Sequence, residues 1–132
     1  DGTLIDQTLI KSDSTEWGNY SNATFTVTNT NAKYSDNDGA SYNPVQAEGY
    51  PKSNDNILLT TGATERNSVV GIYDLAGNVY ERTLEKSMDS GDPCSGRGGI
   101  YYGNGSSGTA SSRVNGPTSG SGYGIGFRSA LY

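Results

Sequence analysis

Between Gly96 and Gly126 the chain holds eleven glycines and six serines within 31 residues, and a long uninterrupted helix or strand cannot be built through such a stretch. Ordering glycine costs more backbone entropy than ordering any other residue. The segment is therefore either a flexible linker or a loop that contacts elsewhere hold in place. Three features favour the ordered loop. Arg97-Gly98-Gly99-Ile100-Tyr101-Tyr102 reads as the start of a strand, Arg113 and Pro117 punctuate the middle, and Ile125 to Tyr132 reads as a closing strand. A linker does not normally end in a strand built for burial. On that strand start, Tyr101 should pack inward and Tyr102 point outward, because successive side chains face opposite ways.

Composition narrows the chemistry. Hydrophobic residues make up only 32% and charged residues 17%, yet ten tyrosines argue against disorder. A length of 132 residues predicts a single domain, 1–132. Asp1 brings neither an initiator Met nor a basic leader, so the expectation is the C-terminal part of a longer protein. The absence of histidine removes His-based triads and imidazole metal ligands. One cysteine removes intrachain disulfides and Cys-rich zinc sites. A net charge of −5 argues against nucleic acid as a partner. No apolar run approaches the roughly 18–20 residues of a membrane span, so no membrane insertion is expected.

Local patterns give a coarse map. Leu4, Ile5, Leu9 and Ile10 predict a short helix, with Trp17 as a core anchor. Ala23 to Thr28 reads as a strand with Phe25 and Val27 on one face, and Ile57-Leu58-Leu59 as buried. Asp36-Asn37-Asp38-Gly39 reads as a turn that lacks the remaining ligand positions of a calcium loop. In Val69 to Glu85 an apolar run meets the turn residues Asp74, Gly77 and Asn78, and a second run follows. There Val79, Glu81 and Thr83 face one way and Tyr80, Arg82 and Leu84 the other.

Three blocks in order carry a resemblance. Gly71-Ile72-Tyr73-Asp74-Leu75-Ala76-Gly77-Asn78-Val79-Tyr80-Glu81-Arg82-Thr83, then Arg97-Gly98-Gly99, then Ile125-Gly126-Phe127-Arg128 resemble the formylglycine-generating enzyme (sulfatase-modifying factor) family over about residues 57–132. The resemblance implies an α+β, C-type-lectin-like fold: a small twisted antiparallel sheet, short helices and long irregular loops. Tyr80 and Arg82 stand where that family has tryptophans, and Arg97 to Arg113 lacks its catalytic cysteines. Cys94 precedes the strand and reads as a turn residue, so the expectation is no enzyme activity. The chain more closely resembles a non-catalytic branch, the variable proteins diversified by retroelements.

That resemblance implies a display domain that binds a protein or glycan on another cell or host, at a cell surface or phage tail, with no cofactor required. Residues of the kind adenine-directed diversification yields are Ile100, Tyr102, Gly103, Asn104, Ser106, Ser107, Ser112, Val114, Asn115, Ser119, Ser121 and Tyr123, the candidate ligand-binding set. Tyrosine offers large contact area with few torsions, and Ser, Asn and Gly offer adaptable hydrogen bonds, which suits a binding surface. An ordinary polar loop would show the same composition. Arg113 and Arg128 are candidates for pinning the loop, through its carbonyls or Glu81. The resemblance would also carry a structural calcium site onto Asn78, the Val79 backbone and Glu81; an Asn turn beside a Glu–Arg pair is the alternative reading of those residues. An inactive structural or accessory relative of the formylglycine-generating enzymes is the second functional reading.

Overall fold

The computed structural model describes residues 7–69 and 71–128. A helix needs several residues fixed before its first bond forms, and turn signals here recur too often to allow more than short ones. Only α1 (Gln7–Ser12) and two single 3-10 turns, Thr15–Trp17 and Glu65–Asn67, are helical among the described residues. The other elements among the described residues are eleven short strands joined by turns and loops: β1 (Thr24–Val27), β2 (Lys33–Ser35), β3 (Asn43–Pro44), β4 (Tyr50–Ser53), β5 (Leu58–Leu59), β6 (Ser68–Val69), β7 (Ile72–Tyr73), β8 (Tyr80–Lys86), β9 (Cys94–Arg97), β10 (Arg113–Gly116) and β11 (Ile125–Phe127).

The expected α+β class is thereby corrected. Among the described residues the regular structure is mostly β, in four small sheets rather than one: β1-β4, β3-β2-β5, β6-β7 and β10-β9-β8-β11. The largest is mixed, because β11 runs parallel to β8 while its other pairs are antiparallel.

Other expectations are adjusted as well. Leu4, Ile5 and Ser129 to Tyr132 lie outside the described residues, as does Val70. Trp17 is only half-buried; Tyr20, fully buried, is the aromatic anchor, its hydroxyl donating to the Gly98 carbonyl at 3.1 Å. Gly98 and Gly99, at φ 96° and 79°, end β9, so Ile100 to Tyr102 form a turn and not a strand. Tyr101 is nevertheless buried and Tyr102 is 49% exposed.

Three apolar clusters make the core. Val27, Ala32, Val45, Ile57, Leu59 and Ala63 form one, with Phe25, Tyr34 and Tyr50 against it. Tyr20, Ala23 and Ala76 form another, and Leu58, Ile100 and Tyr101 a third. The period of two along β5 sends Leu58 and Leu59 into different clusters, so this strand joins them.

Asn78 ties the clusters together from a left-handed turn at φ 60°. Its Oδ1 accepts from the Leu59 amide (3.0 Å) and from Asn19 Nδ2 (3.0 Å), while its Nδ2 donates to the Leu59 carbonyl (2.9 Å). Its own amide donates to the Asn19 carbonyl at 2.8 Å, and its carbonyl accepts from the Tyr101 amide at 2.9 Å. A side-chain amide here stands in for a neighbouring strand.

Lys52 is 1% exposed, on the inner face of β4, and donates to the carbonyls of Tyr20 (2.5 Å) and Ala23 (2.9 Å). Burial pulls its ammonium down from 10.5 to about 8. The unfolded chain then binds more protons than the folded one between pH 8 and 10.5, so this group makes stability rise with pH across that window. Burial raises the Tyr20 phenol, which acts oppositely above pH 10. Urea unfolding at pH 7.5, 8.5 and 9.5 should show wild type gaining about 1–2 kcal/mol relative to Lys52→Met. Parallel pH profiles for the two proteins would exclude this.

A tyrosine-lined cleft as candidate binding site

The site rests on register. In the four-stranded sheet Arg82 pairs with Gly96, and Gly96 with Val114, forming one row across one face. Glu81, Arg97 and Arg113 form the neighbouring row on the opposite face. The first face thus gathers Tyr80 and Arg82 from β8, Cys94 and Gly96 from β9, and Val114 and Gly116 from β10. A Cβ at Gly96 would stand 3.1 Å from Val114 Cγ2 and 3.5 Å from Tyr80 Cβ, so the missing side chain hollows the floor.

Ile100 and the segment Gly122 to Ile125 close one side, leaving a cleft of about 330 Å³. Tyr102 and Tyr123, about half exposed, stand at its mouth. The covering loop is fastened by Arg82 Nη2 donating to the Gly120 carbonyl (2.7 Å) and the Tyr80 amide donating to the Gly124 carbonyl (2.9 Å). A second hollow, about 430 Å³, lies on the other side of Tyr123, bordered by Asp38, Tyr42 and Leu58.

The opposite face is ionic. Arg97 and Arg113 both meet Glu85, at 2.7 and 2.9 Å, and Arg128 grips Glu81 at 2.5 and 3.0 Å. The Arg97 hydrogen bond, with Arg113 beside it, holds the Glu85 carboxyl below its ordinary range. Arg128 therefore does take Glu81, and it also donates to the Tyr73 carbonyl at 2.7 Å. Arg113 does not; its second contact is the Lys86 carbonyl at 3.4 Å. The carbonyls of the glycine-rich region are held instead by Arg82 at Gly120 and Arg97 at Ser111 (3.0 Å).

Of the candidate binding residues, Ile100, Tyr102, Val114, Asn115 and Tyr123 come together on the cleft. The others do not. Gly103 accepts from the Ser21 amide and hydroxyl at 2.9 and 2.8 Å, fixing the loop to the N-terminal part. Asn104 Oδ1 accepts from the Ser106 amide (2.9 Å), and the Ser107 hydroxyl donates to the Asn104 carbonyl (3.2 Å), closing a self-contained turn. Ser112 lies within hydrogen-bond distance of the Thr109 hydroxyl, 3.3 Å, while Ser119 and Ser121 are exposed on the covering loop. Tyr80, Arg82, Cys94, Gly96, Gly116, Gly122, Gly124 and Ile125 complete the cleft and were not among the candidates. Alternation along β8 already placed Tyr80 and Arg82 on one side; what that side faces was not readable.

The calcium set does not fit. Both acceptor directions of Asn78 Oδ1 hold N–H donors, and the Glu81 carboxylate is forked by Arg128. Among the described residues no three His, Cys, Asp or Glu side chains gather to hold a metal, and no helix is long and apolar enough to cross a membrane.

No protein-family model, curated protein or solved structure matches this chain.

Proposed function

We propose that this domain is a non-catalytic binding module that recognises a protein or glycan partner through the cleft and its tyrosine rim, with a retroelement-diversified cassette near the C-terminus. The observation that carries the reading is that Ile100, Tyr102, Val114, Asn115 and Tyr123, five of the twelve residues of the adenine-diversified kind, line one open cleft. A largely apolar concavity with a few polar groups and rigid aromatic edges is the usual form of a recognition site. The rest of the glycine-rich region is tied down by backbone hydrogen bonds, which lets side chains on the cleft vary while the loop path persists. Cys94 lines the same cleft with no histidine in the chain to activate it, which favours binding over thiol chemistry.

The gene supplies the test. A near-repeat of its 3′ end should lie nearby, differing at adenines only, with differences concentrated in the codons of Ile100, Tyr102, Val114, Asn115 and Tyr123. Sibling copies identical through residues 100–124 would exclude diversification.

A further inference from the structure

The charge pattern of the cleft narrows what it can take, and the inference rests on the cleft being the recognition surface. Of the five arginines, Arg66, Arg97, Arg113 and Arg128 each pair with a glutamate. Arg82 pairs with none among the described residues. Half-buried, it gives Nη2 to the Gly120 carbonyl, and its other guanidinium N–H groups have no partner among those residues. Among the described residues it is the only charged side chain lining the cleft, and none of them brings a carboxylate to it. Around it stand the rings of Tyr80, Tyr102 and Tyr123 and the aliphatic Ile100 and Val114.

Such a guanidinium is a ready fork for a carboxylate, because it binds two oxygens in plane through parallel N–H groups. The surrounding walls are more apolar than polar, their uncharged polar groups being the tyrosine hydroxyls and Asn115, which suits an aromatic ring better than a hydroxyl-rich sugar. The volume matches one such group, not an extended chain. We propose that the cleft receives an aromatic residue of a polypeptide partner together with an adjacent carboxylate, the ring lying among the tyrosines and the carboxylate on Arg82.

Small probes separate the terms. Amide NMR titrations of the whole chain with N-acetylphenylalanine should shift the signals of Tyr102, Val114 and Tyr123 with a dissociation constant in the millimolar range. N-acetylphenylalaninamide, which lacks the carboxylate, should bind about five- to tenfold more weakly. Arg82→Gln should remove that difference, and Arg82→Lys should retain part of it. Methyl glucuronide, an anionic sugar without an aromatic ring, should leave the cleft signals unmoved. Equal binding of acid and amide by wild type overturns the proposal whatever the variants do. So does glucuronide binding as tight as the acid, or no cleft response to N-acetylphenylalanine at 20-fold the concentration at which binding is expected. None of these results bears on whether the gene carries an adenine-varied repeat, so the broader reading stands or falls separately.

Discussion

Asn78→Ala should destabilise the protein by about 3–5 kcal/mol, enough to unfold a large fraction of a marginally stable domain. The substitution removes three buried hydrogen bonds: from Asn19 Nδ2, from the Leu59 amide and to the Leu59 carbonyl. It leaves both backbone groups of Leu59 without those partners in the strand that joins two core clusters. It also places a side chain less tolerant of the left-handed region at φ 60°. Asn78→Asp separates the causes. It keeps the acceptor but turns the donor toward the Leu59 carbonyl into a second oxygen. A carboxyl buried there has a raised folded-state pKa, so its protonated form can donate and stability should fall as pH rises through that value. Urea midpoints for both variants at pH 4.5 and 7.5 provide the check. A loss below about 1 kcal/mol for Asn78→Ala would show that Asn78 does not organise the fold.

Gly99→Ala should be comparably severe, lowering the melting temperature by about 10–15 °C. Gly99 sits at φ 79°, and a Cβ there would overlap the Gly108 carbonyl oxygen and approach Tyr20 Cε1 at 2.8 Å. Neither neighbour can yield easily. Tyr20 is fully buried against Ala23 and Ala76, and Gly108 is held by its amide donating to the Asn104 carbonyl at 2.8 Å. Gly62→Ala is the control: φ is 76°, but nothing lies within 4 Å of its Cβ position. It should carry the left-handed strain alone, about 1 kcal/mol. Similar melting shifts for the two would mean that packing around Gly99 is looser than its neighbours indicate.

The two substitutions act on opposite sides of one junction. The Gly77 amide donates to the Gly98 carbonyl at 2.6 Å, and the Tyr101 amide to the Asn78 carbonyl at 2.9 Å. The turn before β8 and the turn after β9 therefore hold each other. That mutual hold is how a segment so rich in glycine presents fixed walls to a ligand, since contacts outside it meet the entropic cost of ordering it.

Local chemistry was legible from residue order alone. Asp74, Gly77 and Asn78 marked a turn, and both Asp74 and Asn78 adopt positive φ. Alternation places Phe25 and Val27 inward of Thr24 and Thr26; Tyr101 is buried and Tyr102 exposed as expected, but from a turn in which Ile100 is buried beside Tyr101, so the strand period is not the cause. Absent histidine and a lone cysteine limit the chemistry whatever the fold. Short-range rules carry this far because turn geometry and the two-residue period depend on a residue and its immediate neighbours. What only the tertiary structure decided is which of these faces meet. Arg82, Gly96 and Val114 come from three separate strands, and glycine leaves no side-chain pattern from which their register could be read. The same holds for the sheets themselves. Strands of two to seven residues find their partners through long-range pairing, so one expected sheet with helices became four sheets, and the glycine-rich segment became the wall of a cleft.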